Sequence, residues 1–197
     1  GDSFFYEYHH NILSGGYATL DLMNICVFCS MYEAQAKYAK AAEALGQLLA
    51  KNGHTLIWGG SDSGLMKTIA DAVQRNGGKV VGVTIERLQG SARKDAEELI
   101  VTKDLAERQT VMRERADAFI LLPGGIGSLD EITEILELKK HGLHDKPIVI
   151  LNTDDFYRGF RSQLERMHRE GFIVHPLENY LYFVSTPKDA LRLLNEL

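Results

Sequence analysis

Two glycine-rich segments each follow an apolar run and lead into a helical pattern, an arrangement that can bind an anion. The first is WGGSDSGLMKT at residues 58–68, and the second is LLPGGIGSLDE at residues 121–131. Glycine lets backbone amides approach a ligand closely, and the free amides at a helix N-terminus attract negative charge. We therefore predict that both turns bind a phosphate group. The predicted phosphate-binding residues are Gly59, Gly60, Gly64, Gly124, Gly125, Gly127 and Ser128.

Neither turn matches the common nucleotide-binding loops. Gly59 and Gly64 have P-loop spacing, but a Leu-Met pair separates Gly64 from Lys67, where a P-loop has lysine directly after glycine. In the second turn, Asp130 stands where a dinucleotide fingerprint has its third glycine. A ligand with a single phosphate is therefore favoured. The alternative is that these glycines only form tight connections between strands and helices.

A carboxylate and an arginine are the candidates for chemistry beside the predicted phosphate site. Glu131 could face a ligand, or it could form a capping box with Ser128, in which both side chains satisfy backbone amides at a helix start. Upstream, the segment DLAERQTVMRER contains Arg108, Arg113 and Arg115, each on a predicted helix that could reach the same cleft. The residues alone leave both choices open.

The elements that must position these residues alternate along the chain. Seven short apolar runs, from NICVFCS to YLYFVS, alternate with helical patterns. Such alternation predicts an α/β, Rossmann-like three-layer fold with a parallel sheet and helices on both faces. Ligands bind beyond the carboxyl ends of strands in such sheets, which is where both glycine turns lie. The predicted helices span residues 34–51, 65–76, 106–116, 129–141, 156–170 and 187–197, and residues 86–98 are interpreted as a mobile, charged loop.

Composition limits the classes of partner. The chain has 197 residues and a formal net charge of −5, with basic residues interspersed among acids, which argues against a nucleic-acid partner. No apolar run approaches the roughly 18 residues that cross a membrane. We interpret residues 1–22 as an N-terminal extension or an appended segment, and residues 23–197 as a single nucleotide-binding catalytic domain. His9 and His10 are interpreted as tail residues rather than metal ligands.

The two cysteines, Cys26 and Cys29, lie in an apolar run. Residues three apart on a strand point to opposite faces, so we interpret them as buried strand residues rather than a redox pair. Unpaired cysteines are typical of a cytoplasmic protein, and we expect that location.

Several segments together resemble one family. PGGIGSLDE is similar to the PGGxGTxxE signature of the Lonely Guy proteins, the cytokinin riboside 5′-monophosphate phosphoribohydrolases. The segments ICVFCS, GGSDSGLM, ADAFILLPGG and HDKPIVILNTDDFY resemble the same family, in the same order. The resemblance implies hydrolysis of the N-glycosidic bond of an adenosine 5′-monophosphate, plain or N6-modified, to free base and ribose 5-phosphate. It assigns catalytic roles to Arg108 and Glu131, and implies a homodimer that needs no metal and no cofactor.

The chain departs from the family pattern at several positions. Ser61 replaces the third glycine of the first turn, Gln109 replaces a lysine after the arginine, and residues 86–98 do not align cleanly with the family's substrate-contacting segment. Loss of the cation at Gln109 predicts weaker binding of an anionic substrate. The preferred base is not determined by these residues.

Two other functions compete with hydrolysis. A nucleotide or molybdenum-cofactor carrier of related fold would bind without turnover, and would not need Arg108 and Glu131 together. A PLP-dependent lysine decarboxylase would need a Schiff-base lysine, and the sequence marks neither Lys67 nor any other lysine for that role.

The predicted helix after the second turn carries an apolar stripe. It consists of Leu129, Ile132, Ile135 and Leu136. The stripe could pack on the sheet or on the partner subunit of the expected dimer.

Overall fold

The computed structural model describes residues 22–197. The predictions for residues 1–22, including those for His9 and His10, therefore lie outside the described residues except at Leu22. Within the described part of the chain, no helix combines the length and apolar character that crossing a bilayer requires.

Seven parallel strands form one sheet, as predicted. They are β1 (Asn24–Phe28), β2 (Thr55–Trp58), β3 (Val80–Ile85), β4 (Glu98–Thr102), β5 (Ala118–Leu121), β6 (Ile148–Leu151) and β7 (Tyr182–Val184). Their order across the sheet is β4-β3-β2-β1-β5-β6-β7, and every pairing is parallel. Because β1 pairs with both β2 and β5, the strand order reverses between these strands. Open α/β sheets bind ligands at such a topological switch point.

Helices cover both faces of the sheet, which confirms the three-layer prediction. They are α1 (Ala36–Lys51), α2 (Gly64–Arg75), α3 (Leu105–Arg115), α4 (Ile126–Lys140), α5 (Arg158–Arg169) and α6 (Pro187–Glu196). On one face, α1, α2 and α6 bury residues such as Leu45, Ile69 and Leu191 against alternate residues of β1. On the other face, α3, α4 and α5 bury Met112 and Ile132, among others.

The two cysteines are free and buried, and they belong to different sides of the core. Cys29 packs with the α1 and α2 layer, whereas Cys26 packs with the α3 and α4 layer. Burial raises the pKa of both thiols well above the ordinary value. Both cysteines are buried as predicted, with Cys26 in β1 and Cys29 directly after its last residue.

Helix α4 begins at Ile126, three residues before the predicted start. Its N-cap is Gly125, whose extended backbone lets the helix begin directly after the glycine pair. Ser128 and Glu131 therefore both lie within the helix, with Ser128 in its first turn, and no side chain caps this end. The capping-box interpretation of Glu131 is wrong.

Helix α5, by contrast, starts later than predicted, at Arg158 rather than Phe156. Asp154 and Asp155 have φ angles of 53° and 57°, in the left-handed region, which interrupts the chain direction before the helix. Tyr157 then occupies the N-cap position.

The apolar stripe of α4 packs on the sheet. Ile132 and Ile135 are in the core, while Leu129 and Leu136 are partly buried against the same cluster. Of the two interpretations of the stripe, the described structure shows the core one.

The connection between β3 and β4 is more ordered than the sequence suggested. Glu86–Ser91 forms a 3-10 helix, and Ala92 forms an antiparallel bridge with Ser61. Arg93 is buried in spite of its charge, with its side chain only 9% exposed.

Candidate active site

A cavity of about 380 Å³ lies at the carboxyl ends of the central strands. Its walls come from the ends of β1 and β2, the start of α4 and the connection between β3 and β4. Arg108 and Glu131 are its charged lining residues. The other lining residues are Cys29, Ser30, Met31, Tyr32, Gly59, Ser61, Met66, Thr84, Leu88, Ser91, Gly125, Ile126, Gly127 and Ser128.

Arg108 and Glu131 form a buried ion pair inside this cavity. Arg108 Nη1 donates a hydrogen bond of 2.8 Å to Glu131 Oε1, and Arg108 Nε donates one of 2.9 Å to the carbonyl of Val83. The two side chains are 11% and 8% exposed. The carboxylate is therefore held at a fixed position by a guanidinium that is itself fixed to the sheet.

The other two candidate arginines point elsewhere. Arg113 lies 3.6 Å from Glu134, and Arg115 forms a 2.7 Å ion pair with Glu98. Neither lines the cavity. Of the three arginines that the residue types left open, the fold brings only Arg108 to Glu131 within the described chain.

The start of α3 fixes where Arg108 emerges. Asp104 is the N-cap, and its side chain accepts a hydrogen bond of 2.9 Å from the Glu107 amide. Glu107 in turn accepts a hydrogen bond of 2.9 Å from the Lys103 amide. This reciprocal cap was missed at the sequence level, although the D-x-x-E spacing of Asp104 and Glu107 would have revealed it.

The glycines of the first turn make room for neighbouring groups. A Cβ atom at Gly59 would lie 2.5 Å from Nη2 of Arg108, so the guanidinium occupies the space that a side chain would take. A Cβ atom at Gly64, where φ is +58°, would lie 2.4 Å from the carbonyl oxygen of Tyr32. Gly60 and Gly64 do not line the cavity.

The second turn contains glycines of a different kind. A Cβ atom at Gly125 or Gly127 would meet no atom within 4 Å, and both residues line the cavity. At Gly124, a Cβ atom would lie 2.1 Å from Oγ of Ser128, so this glycine accommodates the serine instead. The first residues of α4 therefore leave open space beside the cavity.

Burial controls the charge state of the cavity's titratable groups. Burial raises the pKa of Glu131 above its ordinary value, while the charge and hydrogen bond of Arg108 act in the opposite direction. Burial and the Glu131 carboxylate both raise the pKa of the Cys29 thiol. Cys29 therefore stays protonated and is unsuited to act as a nucleophile.

Tyr157 contacts the residue that precedes the second turn. Its buried hydroxyl donates a hydrogen bond of 2.8 Å to the carbonyl of Leu122, the residue before the Pro-Gly-Gly segment. No periodicity in the sequence pointed to this role. The only signal was its place in the NTDDFY segment.

Gln109 lies beside the site but does not line it. Its side-chain amide donates a hydrogen bond of 2.9 Å to Asp130 on α4. The residue that departs from the family pattern therefore contacts the neighbour of Glu131.

Comparison with known proteins identifies the family. A family model described as "Possible lysine decarboxylase" matches residues 66–194. The cytokinin riboside 5′-monophosphate phosphoribohydrolase of Rhodococcoides fascians is 40% identical over 154 residues, which cover 76% of this chain and 78% of that protein. The chain belongs to the Lonely Guy family. A relative with the same name from Mycobacterium tuberculosis is 37% identical over 170 residues, covering 85% of this chain and 91% of that protein.

Solved structures share the fold beyond the Lonely Guy relatives. The molybdenum cofactor binding protein from Rippkaea orientalis has a TM-score of 0.71 at 22% identity, covering 90% of this chain and 98% of that one. The molybdenum cofactor carrier protein from Chlamydomonas reinhardtii has a TM-score of 0.65 at 19% identity, covering 88% and 96%. At these identities the likeness shows the architecture alone.

Proposed function

We propose that this protein hydrolyses the N-glycosidic bond of an adenosine 5′-monophosphate, plain or N6-modified, releasing the free base and ribose 5-phosphate. The buried Arg108–Glu131 pair carries the proposal, because it places a fixed carboxylate in a cavity beside the N-terminus of α4. The activity named for the relatives from Rhodococcoides fascians and Mycobacterium tuberculosis supports the same reaction.

The reaction passes through an oxocarbenium-like transition state, which a nearby carboxylate stabilises. We assign that role to Glu131, which can also orient the attacking water. Arg108 stays protonated and cannot act as a base, so it holds Glu131 in place and can bind phosphate or ribose oxygens. Its hydrogen bond to the carbonyl of Val83 fixes the guanidinium to β3.

The phosphate is assigned to the second turn. Gly125, Gly127 and Ser128 line the cavity at the N-terminus of α4, where free amides and the helix dipole favour an anion. Anchoring the phosphate there positions the sugar against Glu131 and reduces the entropy cost of reaction. Gly59, Gly60, Gly64 and Gly124 contribute by shaping the turns around that anion.

A carrier function is the first competing proposal. It is suggested by the shared fold with molybdenum cofactor proteins, at identities that carry no functional argument. A carrier would not need a buried pair such as Arg108 and Glu131, whose burial costs desolvation energy.

A lysine decarboxylase is the second competing proposal, suggested by the description of the family model. Within the described chain no lysine lines the cavity. Lys67 instead pairs with Asp62 and Asp71 at the surface. The lining residues therefore do not fit Schiff-base chemistry.

We further propose that residues 23–197 form one catalytic domain, and that the protein is a cytoplasmic homodimer. The free cysteines support the compartment. An apolar groove between α4 and α5 supports self-association, because Phe172, which lines it, is 77% exposed. Light scattering at micromolar concentration tests the dimer, and a monomer mass would contradict it.

Chromatography of reaction mixtures tests the hydrolase. We expect release of adenine from AMP and of the prenylated base from a prenylated AMP, and no reaction with adenosine. We expect no loss in EDTA, since the described residues contain no group of His, Cys, Asp and Glu placed to hold a metal ion. Equal rates on AMP and adenosine would contradict the proposal that phosphate binding positions the substrate. Binding of AMP without turnover would favour the carrier.

A further inference from the structure

Arg93 is a buried charge outside the catalytic pair. Its guanidinium lies 2.6 Å from Asp71, 3.1 Å from Asp62 and 2.8 Å from Asp95. Lys67 also pairs with Asp62 and Asp71. We call these five residues the Arg93 cluster. Since buried charges persist only when they are paired, the cluster holds residue 93 tightly against α2.

The backbone around Arg93 is joined to the first glycine turn. The Arg93 amide donates a hydrogen bond of 2.8 Å to the Gly60 carbonyl, and the Asp62 amide donates one of 3.1 Å to the Ser91 carbonyl. Ser61 and Ala92 form the bridge between them. This pair of short segments lies outside the main sheet.

Both segments carry walls of the cavity. Leu88 and Ser91 line it from the connection between β3 and β4, whereas Gly59 and Ser61 line it from the first turn. Gly59 in turn lies against the guanidinium of Arg108. The contacts that fix Arg93 therefore also fix the relative position of these two walls of the cavity, although Arg93 itself does not line it.

We propose that Arg93 is a positioning residue, which fixes the wall formed by Leu88 and Ser91 against the first glycine turn and thereby sets substrate affinity. The proposal rests on the proposed hydrolase function. Arg93 lines no part of the cavity, so its effect must act through the position of the wall.

Asp71 remains charged at neutral pH. Burial would raise the pKa of Asp71, but hydrogen bonds from Arg93 and Lys67 lower it below its ordinary value. Removing the guanidinium would leave three carboxylates with Lys67 as their remaining cation in the cluster. We expect them to repel one another and release residues 88–93 from the first turn.

Steady-state kinetics on AMP test this inference with the full chain. In Arg93→Met we expect KM to rise about 10- to 100-fold, the range for a displaced positioning element, with kcat changed much less. Arg93→Lys should recover part of the loss, because it restores the charge without the planar fork. Arg87→Met is the matched control, since Arg87 is an exposed cation on the same connection, and its KM should not change.

Asp71→Asn gives a second route if Arg93→Met does not fold. It removes the negative charge of the 2.6 Å partner on α2 and leaves the backbone hydrogen bonds intact, so a smaller rise in KM is expected. An unchanged KM in a folded Arg93→Met would overturn the inference, as would a fall in kcat with KM unchanged. If neither variant folds, the cluster is a stability element and the inference is wrong.

Hydrogen exchange separates this inference from the proposed function. Amides of residues 88–93 should exchange faster in Arg93→Met than in Arg87→Met, whether or not AMP is a substrate. If the wild type does not hydrolyse AMP but these amides are deprotected, the proposed function fails and the positioning role stands. Unchanged exchange would show that Arg93 does not fix the wall.

Discussion

The two glycine turns of the site look alike in sequence but need glycine for different reasons. In the first turn, the missing side chains make room for protein groups, namely Arg108 beside Gly59 and the Tyr32 carbonyl beside Gly64. In the second turn, Gly124 likewise makes room for Ser128, but a Cβ atom at Gly125 or Gly127 would meet no atom within 4 Å. Glycine content alone therefore does not distinguish a glycine packed against protein groups from one that leaves open space. What distinguishes the two is the atom that a side chain would meet.

The first turn contacts Arg108, and the second leads into the helix that carries Glu131. The proposed catalytic pair therefore lies between the two turns. We expect Glu131→Gln to lower kcat by about 10³-fold, a typical loss for a group that stabilises a transition state. Leaving Arg108 without its anion should also lower the free energy of unfolding by about 3 kcal/mol. Arg108→Ala should lose turnover to a similar extent.

Kinetics alongside thermal melts separate these two effects. Glu137→Gln is the control, since Glu137 is an exposed glutamate on the same helix that pairs with Lys140 and His141. It should retain full activity. A Glu131→Gln protein that is destabilised yet fully active would assign Glu131 a purely structural role.

Gly59→Ala tests the first turn. The added Cβ would lie 2.5 Å from Nη2 of Arg108, so Arg108 must move away from its position at Glu131 and the buried ion pair is weakened. We expect kcat/KM to fall about 100-fold, as for other small displacements of a catalytic group, together with a lower melting temperature because the buried pair is disturbed. Normal kcat/KM in this variant would show that the fit between Gly59 and Arg108 has no functional weight.

Gly127→Ala tests the second turn and should behave in the opposite way. No atom lies near the added Cβ, and replacing a helical glycine by alanine stabilises by about 0.5–1 kcal/mol. The same Cβ would occupy space assigned to the phosphate. We therefore expect a higher melting temperature together with a raised KM for AMP. A stabilised variant with unchanged KM would place the phosphate elsewhere.

Gln109→Lys gives the smallest expected effect. A lysine would restore the cation of the family pattern next to Arg108, at a position where Gln109 now contacts Asp130. Charge-assisted hydrogen bonds are about twice as strong as neutral ones, so we expect a modest fall in KM for AMP with kcat changed less. Ionic strength should weaken the gain. A KM that is unchanged or higher would mean that Asp130 neutralises the new charge.

The sheet could be predicted from the sequence because strands of a parallel sheet are buried on both faces and are therefore apolar along their length. The sequence also placed both turns at strand ends. It could not choose among the three arginines without the family resemblance, because the choice depends on where α3 begins, and Asp104 and Glu107 fix that start through local hydrogen bonds. Burial of Arg93 could not be predicted either, since its three carboxylates come from separate segments of the chain.

The starting point of α4 shows a further limit. A serine three residues before a glutamate fits a capping box, yet the helix starts at Ile126 and sends Glu131 inward. The local Ser-x-x-Glu pattern suggested that Glu131 caps the start of the helix. Its side chain instead pairs with Arg108, which is distant in sequence. Tertiary contacts of this kind are not visible in a short window of residues.

The two thiols provide internal reporters of how the protein opens. Cys26 and Cys29 are 0% and 2% exposed and belong to opposite layers of the core. An alkylating reagent reaches a buried thiol only when the surrounding structure opens. Singly labelled molecules would therefore mark the departure of one helical layer, and doubly labelled molecules the opening of the central strand itself. Counting labels by mass thus resolves partial from complete unfolding without any engineered probe.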